Sequence, residues 1–344
     1  MQENSDINNS YNGCLIGGAI GDSLDYSRNN HDIFKFSANT QLSLFTANGL
    51  LYGLTRVAIK GIGGDLEKWV YWAYKDWYKL QKEGKRLEAS SLNITWLINV
   101  KELSEVRNPV LETSKIIENI DVGNTGSIKN SNNAYDCVSR VIPVGLCFRE
   151  EEDLERIFDI AFKVAKLTHG DNNACLSSGF LASFIHSLRN NSFNMEKSLG
   201  ESLTVLKHKE ESSHLINRIE NIKALLSSNT EDNLITVKIG NGATAEDTLL
   251  LGLYFSIKYW DDFAQGVTSA VKHKQNSSSV GFIVGSILGL INGEDHIPSE
   301  WKSEVEVKSI LSELANDLYL ASHSKLELLI DDEKWKSKYV EKRY

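Results

Sequence analysis

An all-α protein is predicted, and three observations predict it. The 344 residues include only three prolines, few enough to leave long helices unbroken. Apolar residues recur at helical spacing through most of the chain, and no stretch of useful length alternates as a half-buried strand would. Two segments also place glycine at every fourth position: Gly13, Gly17 and Gly21 near one end, and Gly281, Gly285, Gly289 and Gly293 near the other. That spacing aligns each set along one helix stripe, although an interior glycine costs about 1 kcal/mol against alanine. Close backbone contact between the stripes would offset the cost, so a tightly crossed central pair is expected.

Taken in order, the first glycine stripe predicts a helix that ends before a polar loop over residues 25–36. The run Ser37-Ala38-Asn39-Thr40 then leads into a helix through residue 60, with Leu42, Phe45, Leu50, Leu54 and Val57 on one face. Residues 65–82 carry Trp69, Trp72, Trp77 and Leu80 as core side chains against a charged outer face. Shorter helices are expected over 87–100 and 109–120, followed by a glycine- and asparagine-rich loop over 121–134, the composition of a binding loop. Helices over 136–148 and 154–167, a break at Thr168-His169-Gly170, and a helix over 175–188 come next. Residues 195–228 read as a solvated helical hairpin, and GNGATAED at 240–247 starts a helix ending near Tyr259. A helix over 261–272 feeds the second glycine stripe, whose leading Asn276-Ser277-Ser278-Ser279 can cap a helix N-terminus. The remainder, 302–344, reads as an amphipathic helical extension.

Composition narrows the function classes. A formal charge of -9 with no lysine or arginine cluster disfavours a nucleic-acid binder and suits a basic protein partner. The apolar run from Val280 to Ile291 is too short to span a bilayer, and MQENSDINNS has no basic and apolar leader, so a cytoplasmic protein without membrane association is expected. Cys14, Cys137, Cys147 and Cys175 lack CxxC spacing and read as reduced thiols. With no linker-like stretch, residues 1–344 are expected to form one domain. GxSxG, HExxH and P-loop motifs are absent, and Glu246 and Asp247, adjacent on a helix, are expected to cap or to form salt bridges rather than to face a common point.

Five blocks taken together, GCLIGGAIGDSL, SANTQLSLFTA, LTHG, GATAED and SVGFIVGSILG, resemble the ADP-ribosylglycohydrolases, including the hydrolases that reactivate ADP-ribosylated nitrogenase reductase. The resemblance covers residues 12–301 in the family's motif order and implies a compact orthogonal multi-helix bundle. It also implies a two-magnesium centre between the start of the second helix and the start of the last glycine-striped helix. There the family carries Ser/Thr-Asp-Asp-Thr and Asp-x-Asp-x-Thr. In this chain Ser37 keeps the hydroxyl, while Ala38, Asn39, Asn276 and Ser278 stand where the aspartates would be and Val280 where the threonine would be. The carboxylate expected after the first helix falls on Asn29. In the substrate loop, Tyr135 and Asp136 replace small residues, whereas Asn124 and His169 lie in blocks that match the family. His169 either contacts a ligand or is a helix-end histidine bonded to backbone.

Magnesium is a hard dication that binds through carboxylates or phosphates and yields its water reluctantly. Two such ions repel strongly without anionic ligands, so no metal cofactor and no metal-dependent hydrolysis are expected here. The resulting expectation is a non-catalytic ADP-ribosylglycohydrolase-like protein, a bacterial immunity protein that blocks an ADP-ribosyltransferase toxin. Two alternatives stay open: a residual or metal-independent ADP-ribosyl hydrolase using Asp136, His169 or another group, and a sensor of ADP-ribose or a nucleotide.

Overall fold

Among the described residues, helices account for the regular structure. The computed structural model describes residues 2–30, 34–61, 64–85, 93–119, 130–228, 230–272 and 276–341, with first-helix side chains described over 8–25. The order is α1 Gln2–Asn30, α2 Ala38–Lys60, α3 Leu66–Glu83, α4 Leu111–Asn119, α5 Asp136–Ser139, α6 Ile142–Leu146, α7 Leu154–Lys166, α8 Asn172–Asn190 and α9 Met195–Lys207. It continues with α10 Ser213–Ser227, α11 Asp232–Ile239, α12 Ala245–Lys258, α13 Phe263–Ala270, α14 Ser277–Asn292, α15 Ser299–Glu304, α16 Lys308–His323, α17 Leu326–Leu329 and α18 Glu333–Tyr339. Among the described residues the β-type pairing is an isolated bridge between Ala134 and Thr244.

The two glycine stripes meet at the centre as α1 and α14. A Cβ on Gly13 would stand 2.1 Å from the Gly289 carbonyl oxygen, one on Gly17 2.3 Å from that of Gly285, and one on Gly21 1.9 Å from that of Gly281. Residue numbers rise on one helix as they fall on the other, so the pair runs antiparallel in register. Three successive rungs make contact, so the expected tight central pair extends as a seam along the helices. Around it one apolar cluster takes in Ile16 of α1, Leu50 of α2, Phe180 of α8, Ile287 of α14 and Trp335 of α18. Trp335 is buried and its indole N–H donates to Thr55 Oγ1 at 3.0 Å, so the C-terminal segment packs into this core as well. By length and composition α2 alone among the described helices resembles a membrane span, but most of it is buried inside the protein. All four cysteines are buried and free.

Several boundaries differ from the sequence reading, each for a local reason. The expected loop over 25–36 is helical as far as Asn30, because a nucleated helix propagates through residues too polar to start one. Residues 96–99 and 101–104 form 3-10 turns rather than an α-helix. Asp76 of α3 captures the amides of Ile94 and Thr95 at 2.8 and 3.2 Å, and Thr95 Oγ1 accepts from Leu97 N–H at 3.2 Å. The helix expected over 136–148 splits into α5 and α6. Pro143, without an N–H, cannot continue a helix and instead occupies the first turn of α6. Helix α11 has no counterpart in the sequence reading, since its Leu234 and Val237 are exposed and blur the apolar stripe.

Candidate functional site

The start of α2 is built around one carboxylate from the central pair. Asp22 of α1 is fully buried, and its oxygens accept from Ser37 N–H at 2.9 Å, Ser37 Oγ–H at 2.6 Å, Thr40 N–H at 3.2 Å and Thr40 Oγ1–H at 2.7 Å. An acid against the positive end of a helix is a favourable arrangement. Burial pushes the Asp22 carboxyl above its ordinary value, against the downward pull of those four bonds. Ser37 Oγ also caps α2 by accepting from Asn39 N–H at 3.1 Å. The Ser37 hydroxyl read from sequence as a retained ligand group is therefore committed to joining α1 and α2.

Beside this junction lies a cavity of about 220 Å³. Its wall brings together Ser37, Ala38 and Asn39 of the α2 start, Asn276 and Ser278 of the α14 start, and Tyr135 and Asp136. These are residues from three separated parts of the chain, and seven of the positions singled out in sequence share one cavity. Asn39 is held on the wall by two bonds: its Nδ2–H donates to Ser278 Oγ at 3.4 Å, and its Oδ1 accepts from Ser139 Oγ–H at 3.4 Å. Asn276 precedes α14 with φ 50 and makes no side-chain capping bond, contrary to the capping expected of it; its left-handed backbone, tolerable for asparagine, sets that geometry. Val280 is buried in the core and does not reach the cavity wall.

Acid groups were underestimated by the sequence. Asp25 joins the wall, and Asp136 sits 3.2 Å from His169 Nε2 and 3.9 Å from Arg140 Nη1. His169 is fully buried behind Asp136, with Nδ1 2.8 Å from Thr168 Oγ1, which also bonds Arg140. The His169 ring meets a carboxylate and a hydroxyl rather than a backbone carbonyl. Burial opposes charging its ring, but the Cys137 sulfur and the Asp136 carboxylate outweigh that and push it up to about 9. Burial likewise disfavours the Asp136 carboxylate, and His169 followed by Arg140 outweighs it, holding the group below its ordinary value. Burial and then Asp136, Asp22 and Asp25 push the Tyr135 phenol up to about 12.

Other positions resolve differently. The Asn29 side chain, Asn124 and the rest of the stretch at 120–129 lie outside the described residues. Glu246 and Asp247 do face a common point, since Arg218 reaches the first through Nη1 at 3.0 Å and the second through Nη2 at 3.1 Å. Sequence reasoning missed Asn108 and Val110 of the wall. Their segment is pinned by buried Arg107, which bonds the Phe36 carbonyl at 3.1 Å and Glu306 at 2.7 Å. Asp22 was legible in principle, as a lone acid closing the apolar run of the first block.

The sequence matches the profile of the ADP-ribosylglycohydrolases over residues 3–327. The chain belongs to the ADP-ribosylglycohydrolase family. The match extends past both ends of the 12–301 stretch that carried the resemblance. Among solved structures, an ADP-ribosylglycohydrolase-related protein complex is similar to this chain with TM-score 0.61 and 16% identity, over 92% of this chain and 99% of that one. At such identity the likeness concerns the fold. No curated protein matches the sequence.

For a member of the ADP-ribosylglycohydrolase family the implied cofactor is a pair of magnesium ions, and the donors at the cavity do not fit it. Asn39, Asn276 and Ser278 are neutral, Asp136 already has His169 as counter-ion, and Asp25 is the one further carboxylate among the described residues of the wall, too little anionic charge for two dications. Among the described residues no three His, Cys, Asp or Glu side chains are grouped to hold a metal ion.

Proposed function

We propose that this ADP-ribosylglycohydrolase-family chain is a non-catalytic binding protein whose partner is an ADP-ribosyltransferase, in the manner of an immunity protein to a toxin of that class. The observation that carries the loss of catalysis is Asn39. Its neutral amide bonds Ser278 and Ser139 on the wall of a cavity where two dications would need anionic ligands. Magnesium is then neither gathered nor required. The partner reading draws on the formal charge of -9, which suits a basic surface and would speed its encounter. The buried free cysteines accord with action in a reducing cytoplasm.

Turnover assays with ADP-ribosyl-arginine and ADP-ribosyl-serine peptides, with and without magnesium, test the first half. The expected outcome is no ADP-ribose release under either condition. Co-expression with a candidate ADP-ribosyltransferase, followed by purification of the complex, tests the second half, and absence of both protection and a complex refutes it.

One observation favours a second reading, metal-independent hydrolysis. Asp136 faces the cavity and is held ionised by His169, the state a general base requires. Turnover without magnesium that disappears in Asp136→Asn would establish that reading. Calorimetry with ADP-ribose separates both from a ligand sensor, which would bind without turnover.

A further inference from the structure

A second pocket lies toward the other end of α1. Ser10 lines it, fifteen residues before Asp25 of the first cavity, a separation of about 22 Å along an α-helix. It encloses about 420 Å³, within the roughly 300–1,000 Å³ of small-molecule sites. Arg189 lines it and is held by neutral acceptors. Its Nη1–H groups donate to Tyr11 Oη at 2.6 Å and to the Leu146 carbonyl at 3.0 Å, and Nε–H donates to Asn190 Oδ1 at 2.9 Å. No carboxylate among the described residues lies within ion-pair distance of this guanidinium. Arg149, Glu150 and Glu151 line the pocket as well, but Arg149 and Glu151 pair with each other at 3.1 Å and Glu150 is exposed to water, so none of them neutralises Arg189. One half-buried positive charge thus faces the pocket without a counter-ion, an unfavourable state unless an anion joins it. Its neighbours register the same field: burial and then Arg189 push His186 down to about 3.

Ring surfaces complete the pocket. His323 lies on Tyr319 with centroids 4.4 Å apart and lines the wall. Phe193 lines it from the turn after α8, where Ser192 and Phe193 take φ 51 and 63. Positive φ is rare for a bulky residue and strains the backbone there. This strained turn delivers an aromatic side chain to the pocket.

We propose that this pocket is a binding site, separate from the α2/α14 cavity, for a compact aromatic acid: a planar ring bearing a carboxylate or phosphate. The acid group pairs with Arg189, and the ring lies against His323 and Phe193. A bidentate guanidinium contact suits either acid.

Fluorine NMR on the full chain with para-fluorobenzoate, para-fluorophenyl phosphate and neutral para-fluorobenzyl alcohol tests this, the first two probes separating carboxylate from phosphate. One or both acids are expected to broaden and the alcohol not, with binding weakened by salt. Arg189→Gln should lower affinity about tenfold or more, Arg189→Lys should retain part of it, and Asn39→Asp in the other cavity should leave it unchanged. Equal broadening by acid and alcohol, no broadening by either acid, or full affinity in a folded Arg189→Gln protein overturns the proposal. Should Arg189→Gln fail to fold, His323→Ala and the salt series decide instead: affinity unmoved by both overturns it, and loss in both supports it.

Discussion

The backbone of Gly17 lies directly against that of Gly285, so close that a Cβ on the second would stand 2.0 Å from the carbonyl oxygen of the first. Neither helix can withdraw alone, because Gly13 and Gly21 make the same contact one turn away on each side. Gly17→Ala and Gly285→Ala are each expected to destabilise the fold by about 1–3 kcal/mol or more through overpacking, despite alanine's better helix propensity. Gly200 in α9 is the control, with nothing within 4 Å of its would-be Cβ. Gly200→Ala should stabilise by about 0.5–1 kcal/mol. Urea unfolding of the three variants checks both signs.

Asp22 fixes α2 on α1, and its removal leaves four buried donors without an acceptor. Asp22→Ala is expected to cost roughly 3 kcal/mol or more. Ser37→Ala, which loses one cap and one of those bonds, should cost about 1 kcal/mol. Chemical denaturation ranks the two, and a larger loss for Ser37→Ala would contradict the assignment.

Restoring charge at the α2/α14 cavity tests the metal argument from the opposite direction. The double variant N39D/S278D places two carboxylates where the amide bridge stood, and magnesium should then raise its melting temperature by binding the native state. Wild-type protein is expected to show no magnesium-dependent shift. A shift in the wild type would contradict the reading of Asn39.

The His169–Asp136 pair gives a pH signature. His169 titrates near 9 in the fold against 6.5 for an ordinary imidazole, so its contribution to stability is complete below pH 6.5 and is lost as pH rises through about 9. Asp136 is held below 3.8, so its contribution is present above pH 3.8 and is lost as pH falls through the lowered value. The pair is therefore most stabilising between about pH 4 and 6.5. Thermal unfolding from pH 5 to 10 should show a decline toward the alkaline end that His169→Gln lacks. Equal slopes in both proteins would refute the pairing.

Trp335 ties the C-terminal segment to α2 through Thr55. Trp335→Ala should cost about 3–5 kcal/mol, the loss of a large core aromatic. Thr55→Val should cost about 1–3 kcal/mol by leaving a buried indole N–H unpaired. Calorimetric melting of both variants checks that residues beyond 302 belong to the cooperative unit.

The amino-acid order alone determined that this chain is helical, that two glycine stripes pair, and that Ala38, Asn39, Asn276 and Ser278 carry no charge. Periodicity and residue identity are local properties, and both survive in a string of letters. Tertiary structure decided what those groups do. That Ser37 serves Asp22, that Asn39 bridges Ser139 and Ser278, and that His169 backs Asp136 depend on contacts between residues 15 to 239 positions apart. It also decided helix ends, as where Asp76 draws the amides of Ile94 and Thr95 out of a helix. Hydrogen bonds and charge pairs act over a few ångströms in space, and only the folded chain shows which side chains come that near.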